Sequence, residues 1–174
     1  MTDRFARHLR LDQVRDGERL DLVADEGERS AIAKRLGLVS LHRLEAHVAL
    51  ARTGAIIRAE GRLLATVDQS CVITGDPVAA HIDEPFAMLF VPAPVSGRPD
   101  EEIELGEKDC DTVFYDGAAI DLGGAIADTL ALSLDPYPRS AGAEAALKEA
   151  GVLTEEQASP FAVLAALKGR GEQA

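Results

Sequence analysis

Between Ala55 and Val67 apolar and polar residues alternate almost without fault. Ala55, Ile57, Ala59, Gly61, Leu63, Ala65 and Val67 fall on one side; Arg58, Glu60, Arg62, Thr66 and Asp68 fall on the other. A side-chain period of two belongs to a β-strand, so the pattern predicts one long strand, or two joined at Gly61, with a dry face and a charged face. Gly61 is the candidate for a bulge. Leu44, Ala46, Val48 and Leu50 alternate with Glu45, His47 and Ala49 and predict the preceding strand, with Thr53-Gly54 as the turn. Further strands are predicted from Ser70 to Thr74 and from Ala79 to Phe90, separated by the turn Gly75-Asp76-Pro77, and a short one near Thr112 to Tyr115. The links between the main strands are too short for crossovers, so these neighbours pair antiparallel.

The period changes at two places. Asp25 to Leu36 reads as a helix: Asp25, Glu26 and Glu28 load its first turn, Lys34 and Arg35 its last, and Gly37 follows as a stop. Asp121 is placed as the N-cap of a second helix, along which Leu122, Ala125, Ile126, Thr129, Leu130 and Leu134 share a side until Pro136 and Pro138 end it. Residues 1–24 read as an extended segment, 92–118 as an acidic loop broken by Pro and Gly, and 139–174 as a polar appendage ending in an amphipathic turn or short helix. All belong to one domain, 1–174. The expected fold is α+β: a curved, largely antiparallel sheet, or an incomplete barrel, with flanking helices and a long acidic loop. The second helix is the natural cover for the sheet's apolar face.

The sequence lacks tryptophan and has few other aromatics, so the core must be aliphatic. The net charge is −12, which argues against DNA and against a general grip on nucleic acid. The charge is uneven. Residues 1–62 hold 12 basic and 10 acidic side chains, whereas residues 63–174 hold 6 basic and 20 acidic. Arg4, Arg7, Arg10, Lys34, Arg35, Arg43, Arg52, Arg58 and Arg62 are therefore the candidate RNA-contacting residues, although interleaved acids such as Glu45 and Glu60 equally suit surface pairing. Asp100, Glu101, Glu102, Glu104, Asp109 and Asp111 are candidates for docking a basic partner. The charged start lacks the apolar run of a signal peptide, and the most apolar window, Phe86 to Val95, is short and holds Pro92 and Pro94. A cytoplasmic protein with no membrane partner is expected.

Catalytic, cofactor and metal motifs are not recognisable. The histidines do not have ligand spacing, Cys71 and Cys110 form no CxxC, and the acids near Asp109 lack the glycine of a calcium loop. GxSxG, GxxxxGK[ST] and GxGxxG are missing. Cys71 reads as a small buried side chain; the acids flanking Cys110 should raise its thiol pKa. Gly123-Gly124 reads as a packing feature. No catalytic, cofactor-binding or metal-binding residue is assigned.

Three segments together resemble the YceD family of large ribosomal RNA subunit accumulation proteins. The first is the long strand leading into Asp68-Gln69-Ser70-Cys71-Val72-Ile73-Thr74-Gly75-Asp76-Pro77-Val78, where the family shows a Cys-x-x-Cys turn. The second runs from Ala119-Ile120-Asp121-Leu122 to Leu134-Asp135-Pro136-Tyr137-Pro138. The third is the tail Ser159-Pro160-Phe161-Ala162-Val163-Leu164-Ala165-Ala166-Leu167-Lys168. The order and spacing fit over roughly residues 40–168, carried by Cys71, Asp121, Pro136, Pro138, Pro160, Phe161, Leu164 and Leu167. Thr74 stands where the second family cysteine would be, and no cysteine follows Pro138. The resemblance implies a non-enzymatic ribosome biogenesis factor that binds large-subunit precursor rRNA, a basic ribosomal or assembly protein, or both. The rival readings are a small-molecule-binding, barrel-like protein, with Ala55, Ile57, Ala59, Leu63, Ala65 and Val67 lining an apolar cavity, and a protein-interaction adaptor unconnected with ribosomes.

Overall fold

The computed structural model describes residues 3–5, 8–93 and 111–152. Eight strands and three helices follow in the order β1 (Asp3–Arg4), β2 (His8–Arg10), β3 (Arg19–Val23), α1 (Glu26–Leu36), β4 (Ser40–Thr53), β5 (Ile56–Ser70), β6 (Pro77–Pro92), β7 (Asp111–Tyr115), β8 (Ala119–Asp121), α2 (Leu122–Ser133) and α3 (Ala143–Glu149). This is a mixed α+β architecture. The main sheet has the order β1-β3-β4-β5-β6-β7, and β2 and β8 form a second, two-stranded sheet. The β3-β4-β5-β6 ladder is antiparallel, as the short β4–β5 and β5–β6 links require for those two pairs, while the outer strands β1 and β7 join in parallel. The described residues form no closed barrel, since β1 and β7 are both edges.

The alternation read from the sequence sets which face is dry. In β5, Ile57, Ala59, Leu63, Ala65 and Val67 are buried. Across the register they meet Leu50, Ala46, Leu44 and Leu41 of β4 on one side and Phe90, Met88 and Ile82 of β6 on the other. Ala55 lies before β5 and is exposed. α1 packs on β4 and α2 on β5 and β6, so Leu122, Ile126, Ala127 and Leu130 join these strand residues in one core.

Both helices begin where the sequence places them. At α1, the Asp25 carboxylate accepts from the Glu28 amide at 2.8 Å and Glu28 accepts from the Asp25 amide at 2.9 Å, a reciprocal cap that offsets the weak helix former Gly27. At α2, Asp121 accepts from Gly124 N at 2.9 Å. The helix stops after Ser133 because Asp135 precedes Pro136 and is disfavoured in the helical region.

Three expectations change. Ser70 closes β5, and Cys71 to Thr74 is a turn rather than a strand, because Gln69 continues the buried side of β5. Residues 1–24 contain three short strands, two of which, β1 and β3, belong to the main sheet, so the sheet begins before α1. The ladder slips between Leu41 and Arg43, not at Gly61. Gly61 instead marks a close approach: a Cβ there would overlap the His47 carbonyl oxygen of β4 and lie 3.1 Å from Phe86 Cζ of β6. Beyond these, β7 accompanies β6 only from Met88 to Pro92, leaving Pro77–Ala87 with no outer strand among the described residues.

Candidate functional site

Two of the three motif segments meet at the tip of the β5–β6 hairpin. The turn closes on itself through Gly75 N to Cys71 O at 2.9 Å and Cys71 N to Asp76 O at 2.8 Å. Gly75 adopts φ 78°, a conformation that residues with a Cβ rarely take. The proline-flanked segment after α2 is laid across this turn. Gln69 Nε2 donates to Asp135 O at 2.8 Å, and Val72 N donates to Pro138 O at 2.9 Å. Gln69 is 8% exposed, so this bond satisfies a buried amide that would otherwise be costly.

Cys71 lies at the centre, 3% exposed. Its Sγ accepts from Ser140 N at 3.2 Å and from Thr74 N at 3.4 Å. The hydroxyls of Thr74 and Ser140 are 3.1 Å apart, and Thr74 Oγ1 donates to Asp76 Oδ2 at 2.6 Å. Hydrogen bonds from Ser140 first, then Thr74, hold the Cys71 thiol well below its ordinary range, at about 6, against the opposing effect of burial. The cluster is thus a hydrogen-bonded knot tying the hairpin to the segment after α2. Ser140 was not legible as a member, because its part is set by a contact 69 positions away; the position of Thr74 was the one available signal. Pro138 is buried beside the turn, whereas Pro136 is exposed. Among the described residues no three His, Cys, Asp or Glu side chains are grouped to hold a metal ion.

The candidate basic residues are dispersed, and most face a carboxylate. Arg10 pairs with Asp12 at 3.1 Å and Arg35 with Asp128 at 3.1 Å. On the outer sheet face Arg43 pairs with Glu45 at 2.6 Å, Arg58 with Glu60, and Arg62 across the strands with Asp83. The hydrogen bond to Glu45 raises the Arg43 pKa, and that to Asp83 raises the Arg62 pKa; the carboxylates of Glu45 and Asp83 are lowered in return. Arg52 serves the backbone instead, donating to the carbonyls of Leu11, Val14 and Gly54. Lys34 lines an open groove of about 610 Å³ with Arg29, Ser30, Ser40 and His42. At its end Ser40 and His42 both contact Asp68 Oδ2 at 2.7 Å, and these bonds, Ser40's first, lower the Asp68 pKa.

Of the remaining candidates, Asp111 is exposed at the start of β7 and Asp121 caps α2. Arg7, Asp100, Glu101, Glu102, Glu104, Asp109, Cys110, Pro160, Phe161, Leu164 and Leu167 lie outside the described residues, as does the side chain of Arg4. No helix among the described residues is long and apolar enough to cross a membrane.

A search of curated proteins and a search of solved structures both return no match. Residues 59–168 match the family model described as Large ribosomal RNA subunit accumulation protein YceD, a span that runs from near the start of β5 through the Cys71 turn, α2 and the Pro136–Pro138 segment. With well over half its length inside that match, the chain belongs to the YceD family, whose name ties it to the accumulation of large ribosomal subunit RNA.

Proposed function

We propose that this chain is a non-enzymatic, cytoplasmic factor that promotes accumulation of large-subunit ribosomal RNA, and that it works chiefly by holding a basic ribosomal or assembly protein. The family match over residues 59–168 carries the reading. The pairing of Arg10, Arg35, Arg43, Arg58 and Arg62 with carboxylates supports a protein rather than bare RNA as the principal contact, since a phosphate must first displace each acid. The surplus of acids in residues 63–174 supports a basic partner. The interlocked Cys71, Thr74 and Ser140 support a structural rather than a chemical use of the one conspicuous thiol.

The test is the ratio of large- to small-subunit ribosomal RNA in cells lacking the protein, with the intact gene restored as control. A fall that the restored gene corrects is expected. An unchanged ratio with normal subunit profiles would sink the proposal.

A further inference from the structure

The outer face of the main sheet is charged along most of its length but not at one corner. Arg58 stands opposite Leu89, Leu89 opposite Thr112, and Val91 opposite Phe114. Ile56 precedes the Ile57–Phe90 pair by one residue and therefore falls beside Val91. The result is an apolar row, Ile56, Val91 and Phe114, across β5, β6 and β7, with Leu89 in the row behind. Phe114 is 55% exposed and Ile56 43%; Leu89 and Val91 are half-buried. Single exposed apolar side chains are ordinary, but four adjacent ones on a sheet face that no described helix or strand covers mark a contact surface.

The surrounding charge indicates what it contacts. Glu60 balances Arg58 beside the patch. Asp111 at the start of β7 and Asp116 just beyond its end are exposed. Phosphates are repelled by such a rim, whereas lysines and arginines are drawn to it.

We infer that this corner docks a lysine- and arginine-rich protein segment that inserts an apolar or aromatic side chain beside Phe114. The inference rests on the proposed function and supplies the docking place for its basic partner. The apolar anchor provides the buried centre of the contact and the carboxylates its polar rim.

A fluorescein-labelled peptide rich in lysine and arginine with one central phenylalanine is titrated with the full chain, beside a peptide of equal charge with serine at the centre and a single-stranded RNA oligonucleotide. The phenylalanine peptide is expected to bind about tenfold tighter or more than its serine counterpart, a preference lost in Ile56→Ser/Phe114→Ser. Both side chains are exposed, so circular dichroism and melting should be unchanged; Phe114→Ser alone is the fallback if the double variant melts early. Equal affinity for the two peptides overturns the inference, as does a preference that survives in the variant. RNA binding that is lost in the variant also overturns it and makes the corner a base-stacking platform instead. In cells the outcomes separate. If deletion lowers the ribosomal RNA ratio but the double variant restores it fully, docking at this corner is refuted and the proposed function stands. If deletion changes nothing, the proposed function falls and the peptide titration alone decides the corner.

Discussion

Replacing Gly61 by alanine puts a methyl group into a space the sheet has closed. The added carbon would overlap the His47 carbonyl oxygen, lie 2.9 Å from the carbonyl carbon and sit 3.1 Å from Phe86 Cζ. Phe86 could turn, but the carbonyl belongs to the backbone of β4, next to the Val48–Gly61 pair, and cannot move without disturbing the β4–β5 ladder. Overpacking of this kind costs about 1–3 kcal/mol, and the upper end applies where the obstacle is backbone. Weakening two ladder hydrogen bonds adds roughly 1 kcal/mol each. The smaller entropy of the unfolded alanine chain returns only about 0.4–1 kcal/mol. The net loss is roughly 4 kcal/mol, opposite in sign to the usual gain when a strand glycine becomes alanine. Urea unfolding followed by circular dichroism suits a chain without tryptophan. With a slope of about 2 kcal/mol per molar, the midpoint should fall by about 2 M at unchanged slope. Gly142→Ala is the control, since a Cβ there meets nothing within 4 Å and no positive φ is involved. A Gly61→Ala midpoint equal to or above the parent's would refute the reasoning.

Two further outcomes follow from the same geometry. The Cys71 thiol is held at about 6 in the folded chain against 9.0 for the free group, so folding favours the thiolate. That stabilisation is complete above the unfolded value and is lost as pH falls through the folded one. Stability should therefore rise between about pH 6 and pH 9 relative to Cys71→Ala, and the thiolate absorbance that Cys71→Ala removes should titrate near pH 6; Ser140→Ala with Thr74→Val should move that titration upward, and a Cys71 thiol titrating near 9 would contradict the geometry. Asp121→Ala removes the cap on Gly124 N and should cost about 1 kcal/mol in thermal unfolding, whereas Asp121→Asn should cost far less.

What the sequence made legible was local. The alternation through β5, the ends of α1 and the cap of α2 all rest on neighbours within a few positions. Gln69 is polar and breaks the alternation after Asp68, yet its amide is satisfied by Asp135 O and the strand runs on. The parallel pairings of β1 and β7, and the β2–β8 ribbon, join distant segments and leave no period to read. At the candidate site, Cys71 and Pro138 were legible as motif residues, but their meeting was not, since it depends on how α2 packs over the sheet. The interleaved acids Glu45 and Glu60 did announce their ion pairs, because residues two apart on a strand share a face. The Arg62–Asp83 pair and the apolar corner at Phe114 needed the strand register.

The stretch of β6 that no strand accompanies among the described residues bears on how the chain behaves among copies of itself. A row of unpaired amides and carbonyls along a sheet edge invites another strand to continue the ladder. Pro77 and Pro85 both stand opposite residues of β5 in an unbroken register, and neither has an N–H to give. Each must therefore turn its nitrogen away from β5, toward the bare side. Lying eight positions apart, they fall in the same phase of the strand and remove two donors from the ladder an intruder would build. Asp83 and Glu84, both exposed, add repulsion between like edges. The longest strand of the sheet can be left open at one flank because its own side chains make that flank a poor template for aggregation.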